Sequence, residues 1–171
     1  MEGDGRGLCP RALAFREEVS EALPVVGRGF CFEDLAPGFR FRTHRRTISE
    51  ADLAAFVNLT WLTEELFAVA DDSGRSIKGR AVPGALVYSF AEGLLLPTMQ
   101  DTGLAFLGAT LDVKHPTLVG DTIHVEGEVI EHRLTSKGDR GLVRFANKVV
   151  NQHGEVVIEY NPLRLLRRRS D

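Results

Sequence analysis

The chain has 171 residues, 43% of them hydrophobic, and 21 basic against 24 acidic side chains. That length suits one domain, and a net charge of −3 with no broad basic face excludes a nucleic-acid-binding module. Cys9 and Cys31 stand at no metal or redox spacing, no signal-peptide core follows Met1, and no apolar run reaches the roughly 18 residues of a membrane span. These features predict a reduced, cytoplasmic setting without membrane contact.

Residues 1–29 read as an N-terminal extension. Met1–Gly7 is glycine-rich and charged, Pro10–Leu23 predicts a short helix with Ala12, Phe15, Val19 and Leu23 on one side, and Pro24–Gly29 reads as a linker. Phe30–Gly38 ends in a Pro-Gly turn signal and Phe39–Ile48 alternates as a first strand. Ser49-Glu50-Ala51-Asp52 has the form of an N-terminal cap, so a helix is expected over Glu50–Asn58. Leu59–Ala70 is apolar apart from Glu64 and Glu65, and Asp71–Arg80 predicts a surface loop.

Gly79–Pro97 organises the rest. Pro83-Gly84 reads as a helix start and Pro97 as its stop, and the residues between are apolar on almost every side. Strands are predicted over Leu104–Val113, Thr122–Leu134, Leu142–Val150 and Glu155–Leu166. His124 and His132 fall on the same side of one of them by simple alternation. The pattern defines an α+β fold in a single domain from residue 30 to 171, an antiparallel sheet wrapped around one long central helix.

That order of elements resembles a hotdog fold. Glu33-Asp34-Leu35-x-x-Gly38, Thr47-x-Ser49-x-x-Asp52-x-x-x-Phe56, Phe106-Leu107-Gly108, Val119-Gly120-Asp121-Thr122-Ile123 and Asn151-Gln152-x-Gly154 together resemble the MaoC-like dehydratases, best known for (R)-specific enoyl-CoA hydration. The resemblance covers Phe30 to about Leu166. It implies a homodimer or larger assembly, or a hetero-oligomer with a second kind of hotdog chain, that binds an acyl-CoA thioester between protomers, with coenzyme A as part of the substrate and no separate cofactor or metal. It also places the thioester near the start of the central helix, where free N–H groups and the positive dipole end hold an oxygen that gains negative charge. Gly84 is the N–H donor implied.

The chain departs from that family where its acid and base normally stand. Aligned without gaps, the Asp position falls on Leu62 and the His position on Phe67, and Pro83 occupies the usual histidine position before Gly84. A positioned acid or base contributes about 100- to 10,000-fold in rate, so the loss of both matters. Replacement candidates are Glu64 and Glu65, whose carboxylates would need burial to work near neutral pH, and the Tyr88 hydroxyl one turn beyond Gly84. Asn58 and Thr63 could orient water. Trp61, Thr63, Pro83, Phe90 and His115 are expected to line the substrate, with Phe67 and Phe106 shaping pocket depth, and Lys78, Arg80, Lys114 and Arg164 are cations available to coenzyme A.

Three functions follow as expectations. The first is a hydratase or dehydratase of an enoyl-CoA or 3-hydroxyacyl-CoA, a lyase of fatty acid metabolism with non-standard catalytic residues. The second is a non-catalytic acyl-CoA-binding protomer that partners a catalytic subunit. The third is a hotdog thioesterase using Glu92 on the central helix.

Overall fold

The computed structural model describes residues 27–169, so the predicted helix over Pro10–Leu23 lies outside the described residues. Three helices and ten strands follow in chain order: β1 (Arg40–Arg42), β2 (Arg46–Thr47), α1 (Glu50–Thr60), α2 (Glu65–Ala68), β3 (Ala81–Val82), α3 (Gly84–Met99), β4 (Gly103–Gly108), β5 (Leu111–Val113), β6 (Thr117–Leu118), β7 (Thr122–Leu134), β8 (Arg140–Val150), β9 (Val156–Tyr160) and β10 (Leu163–Arg167). α1 starts at the predicted cap. The Ser49 hydroxyl accepts the Asp52 N–H at 3.2 Å while the Asp52 carboxylate accepts the Ser49 N–H at 2.9 Å, which satisfies two donors that a helix start leaves open. The helix ends at Thr60, and Trp61 turns the chain with a left-handed φ of 60°.

Three predicted strands prove to be broken, and the breaks curl the sheet. The first divides into β1 and β2, both paired with β7. The strand expected over Leu104–Val113 divides into β4, which pairs with β10, and β5, which pairs with β9. The last divides at Asn161-Pro162 into β9 and β10, both laid on β8. Pro162 has no N–H for the ladder, so a break there is forced. Asn161 then locks the two breaks together: its Oδ1 accepts from the Thr110 N–H and hydroxyl, each at 2.8 Å. A register shift between Val129 and Glu131 continues the crease into β7. It also reverses the alternation beyond it, so His124 faces outward beside Glu126 whereas His132 turns inward and stacks on Phe32 with ring centroids 3.7 Å apart. The two histidines therefore do not share a side.

α3 lies against the concave face of this sheet. Leu86, Val87, Ala91 and Leu95 are buried against Ile123, Val125, Val149, Val157 and Ile158, with Leu53 and Val57 of α1 in the same cluster. Two expectations about α3 are corrected. It is not covered on almost every side, because Ala85, Ser89, Gly93 and Leu96 are exposed. Nor does Pro97 stop it, since the helix continues to Met99. A proline in the last turn forfeits only the bond to the Gly93 carbonyl, and Gly93 is on the solvent side where water can serve that carbonyl.

A second, smaller core forms where the 3-10 turn Phe32–Asp34 covers the other half of the sheet, joining Phe32 and Leu35 to Val129, Val143, Phe145 and Leu166. Gly141 makes this possible. A Cβ there would sit 1.8 Å from the Phe32 ring.

Candidate functional site

Pro83 is buried and caps α3, and its carbonyl accepts the N–H groups of Leu86 and Val87 at 2.9 and 3.2 Å. The Gly84 and Ala85 N–H groups are left with no partner among the described residues, as the first turn of a helix dictates. β5 crosses this end of the helix. A Cβ on Gly84 would lie 3.1 Å from Cγ2 of Val113, so the glycine is what lets the strand come so close. Val113 is itself 59% exposed, and His115, two residues on, is held by its N–H to the Val157 carbonyl at 3.3 Å with its side chain in solvent. The helix start thus offers free amide donors beside the apolar Val113 side chain.

α2 packs against β3, which brings the 62–68 segment beside the strand that feeds α3. Phe67 packs on the main core and Leu62 is half-buried, so the positions aligned with the family's His and Asp present carbon to this region. Glu64 and Glu65 are exposed. Their backbones do the visible work, with the Glu64 carbonyl accepting from Phe67 and Ala68 at 2.9 Å and the Glu65 carbonyl accepting from Arg75 Nη2 at 2.9 Å. Thr63 is exposed as well, and Trp61 is 85% exposed. Phe90 lies on another flank of α3, with the Arg46 guanidinium 3.7 Å above its ring, so it is not grouped with Tyr88. Of the residues singled out in the sequence, Pro83 and Gly84 adjoin at the helix start, and His115 follows two residues after Val113, the side chain that meets Gly84. Tyr88 continues from Gly84 along α3, and the remainder are scattered around the approach.

Tyr88 leads into a feature that residue-by-residue reading did not assemble. Its ring meets Tyr160 edge-on, with centroids 5.1 Å apart at 88°, and one turn further Glu92 forms an ion pair with Arg164, which is 7% exposed. Burial and then the Glu92 carboxylate push the Tyr88 hydroxyl above its ordinary pKa, and the same two causes act more strongly on Tyr160. Both therefore stay neutral and can only share hydrogen bonds. Glu92 Oε1, the Tyr160 hydroxyl and both polar atoms of the Asn147 amide are buried without a protein partner. The available signal was Glu92 itself, because a carboxylate within an apolar helix demands a cation across the core. Glu92 is also eight residues from Gly84, about 12 Å along the helix axis, and cannot act on the same bond as the Gly84 N–H within one chain.

No family model matches the sequence, and no curated protein matches it either. Solved structures do. A MaoC-like dehydratase from Rhodospirillum rubrum is 26% identical, with a TM-score of 0.74, over 84% of this chain and 100% of that one. A monoamine oxidase regulatory protein from Archaeoglobus is 27% identical with a TM-score of 0.73, over 84% of this chain and 97% of its own. A MaoC domain protein from Chloroflexus aurantiacus reaches a TM-score of 0.81 at 26% identity, over 86% of this chain but only 43% of that longer one. The curled sheet, the single long helix and these neighbours define a hotdog-fold protein. Within that class, its structure is similar to those of MaoC-like dehydratases.

Proposed function

We propose that this chain holds the acyl end of a coenzyme A thioester at the start of α3, as one protomer of a hotdog assembly, without supplying the acid-base pair of a hydratase. The observation that carries this reading is the helix start itself: the Gly84 and Ala85 amides have no partner among the described residues and sit beside Val113, while Leu62 and Phe67 stand at the positions aligned with the family's acid and base. Amide donors at a helix N-terminus polarise a thioester carbonyl and stabilise negative charge on its oxygen. Adding or removing water also requires a group that moves a proton. Glu64, Glu65 and His115 are exposed, and burial with the Glu92 carboxylate keeps the Tyr88 hydroxyl protonated, which supports a reading that assigns none of them as the proton carrier.

The assembly belongs to the same proposal. β4 pairs with β10 on one side only among the described residues, and Leu104, Phe106, Leu107, Leu111 and Val113 are exposed along β4 and β5. An open apolar edge favours pairing with another chain's edge. A second copy, or a hotdog subunit that does carry the acid and base, would join there, next to Gly84. A cytoplasmic place in acyl-CoA metabolism accords with this reading. No described helix is long and apolar enough to cross a membrane.

Hydration of a short enoyl-CoA ester is the test. The chain alone is expected to turn over crotonyl-CoA at least about 100-fold more slowly than a MaoC-like hydratase, the deficit set by a missing acid or base. Glu64→Gln and Glu65→Gln should leave the residual rate unchanged. Full activity abolished by either substitution contradicts the proposal and restores an unconventional hydratase. Release of free coenzyme A that is lost in Glu92→Gln would instead favour the thioesterase.

A further inference from the structure

Gly84, Tyr88, Glu92 and Leu96 follow one another at spacing four and so form one line along α3. Each meets a different strand. Gly84 lies against Val113 of β5, the Tyr88 ring against Tyr160 of β9, Glu92 against Arg164 of β10, and Leu96 shares a groove with Leu104 and Phe106 of β4. The line marks the border between the buried and open flanks of the helix, since Gly84, Tyr88 and Glu92 are half-buried and Leu96 is exposed. The free amides of Gly84 and Ala85 stand at one end, and the groove, of about 240 Å³, lies at the other.

The groove is apolar except at one point. Leu96, Met99, Leu104 and Phe106 wall it, and Arg164 is its one charged lining residue. Arg164 is only 7% exposed, with its guanidinium carbon 5.3 Å from the Phe106 ring centroid. Among the described residues its side chain has one hydrogen-bond partner, Glu92, reached through Nη2. A guanidinium has five N–H donors, so most of this one is left over. Water serves those donors while the groove is open, but a ligand that fills it must supply an acceptor or leave them unmet. The groove is smaller than the roughly 300 Å³ at which sites for a whole small molecule begin, so it suits the end of a longer ligand.

We infer that the acyl chain follows this line from Gly84 to Arg164, and that the preferred chain carries a neutral oxygen, a hydroxyl or carbonyl, at its far end. This rests on the thioester reading above and names its acyl class. Glu92 stands about 12 Å from Gly84 along the helix axis. An extended covalent chain advances about 1.2 Å per bond, so an acyl group of about ten carbons reaches the pair. An alkyl end displaces water from Arg164 and returns no acceptor, whereas an oxygen accepts from it. A carboxylate end is disfavoured, because Glu92 already neutralises the guanidinium and a second anion would be buried beside it. Arg164 is thus the specificity-determining contact, and Glu92 positions it. A partner joined at the β4–β5 edge would roof the line.

Calorimetric titration of the full-length chain with ω-hydroxydecanoyl-CoA and decanoyl-CoA tests this. The hydroxylated ester should bind at least about 10-fold more tightly, the worth of one hydrogen bond to a charged group. Glu92→Leu with Arg164→Met removes both charges together, a change that buried pairs tolerate, and the preference should fall to about one or reverse. Leu96→Trp, at an exposed position, fills the groove without entering the core; it should weaken both decanoyl esters several-fold more than crotonyl-CoA. Equal affinity for the two decanoyl esters in the unaltered chain overturns the inference while leaving thioester binding in place. A preference that survives the double substitution, or a Leu96→Trp effect shared equally by crotonyl-CoA, overturns it as well. Binding of none of the three esters overturns the thioester reading and this inference with it.

Discussion

Glu92 and Arg164 show what a single residue can demand of the fold. A carboxylate on the buried flank of α3 is tolerated because Arg164 reaches it from β10, and Tyr160 and Asn147 close the space around it. Breaking a buried pair from one side costs about 3–5 kcal/mol, because the other charge stays buried without compensation. Glu92→Ala should therefore lower the urea midpoint far more than Glu64→Ala does, since Glu64 is exposed. Glu33 gives a pH-dependent contribution. Partial burial pulls its pKa upward, but hydrogen bonds from the Arg168 side chain and the Arg169 N–H outweigh this and hold it at about 2. A carboxylate with a depressed folded-state pKa stabilises the protein fully above its ordinary value of 4.5, and the contribution fades as pH falls from there through about 2. Acid unfolding curves of the protein and of Glu33→Gln should converge below that window and diverge above it.

At the scale of elements, much was legible because local chemistry decided it. The capping box set the start of α1, and alternation on Thr122–Leu134 gave β7 to the residue. What escaped was non-local. The crease through Gly108–Thr110 and Asn161-Pro162 depends on one asparagine bridging two strands 51 residues apart, and a single extra residue near Ile130 reversed the faces of His124 and His132. The second core was hidden for a similar reason, since Phe32 and Gly141 meet only through the tertiary fold. Gly141→Ala should displace Phe32 from its stack on His132 and cost on the order of 1–3 kcal/mol of stability, an overpacking penalty measurable by chemical denaturation. Stability equal to that of the unaltered protein would show that the 27–39 segment repacks freely.

For the whole molecule, the sheet wrapped around α3 places amide donors at one end of the helix and an apolar strand edge beside them. The sequence exposed the two halves of the candidate site unequally. Pro83-Gly84 was readable as a helix start, and Leu62 and Phe67 as losses relative to the family resemblance. The closeness of Val113 was not readable, because it depends on where β5 crosses the helix. Val113 and Gly84 together make a narrow space, and on the proposed reading an added side chain would fill the room a thioester oxygen needs. The most direct measurement is calorimetric titration of the full-length chain with crotonyl-CoA, alongside Gly84→Val. The account predicts saturable binding by the unaltered chain and at least a 10-fold weaker affinity in the folded variant, equivalent to about 1.4 kcal/mol. Equal affinity in both, or no binding by the unaltered chain at millimolar ligand, would contradict it.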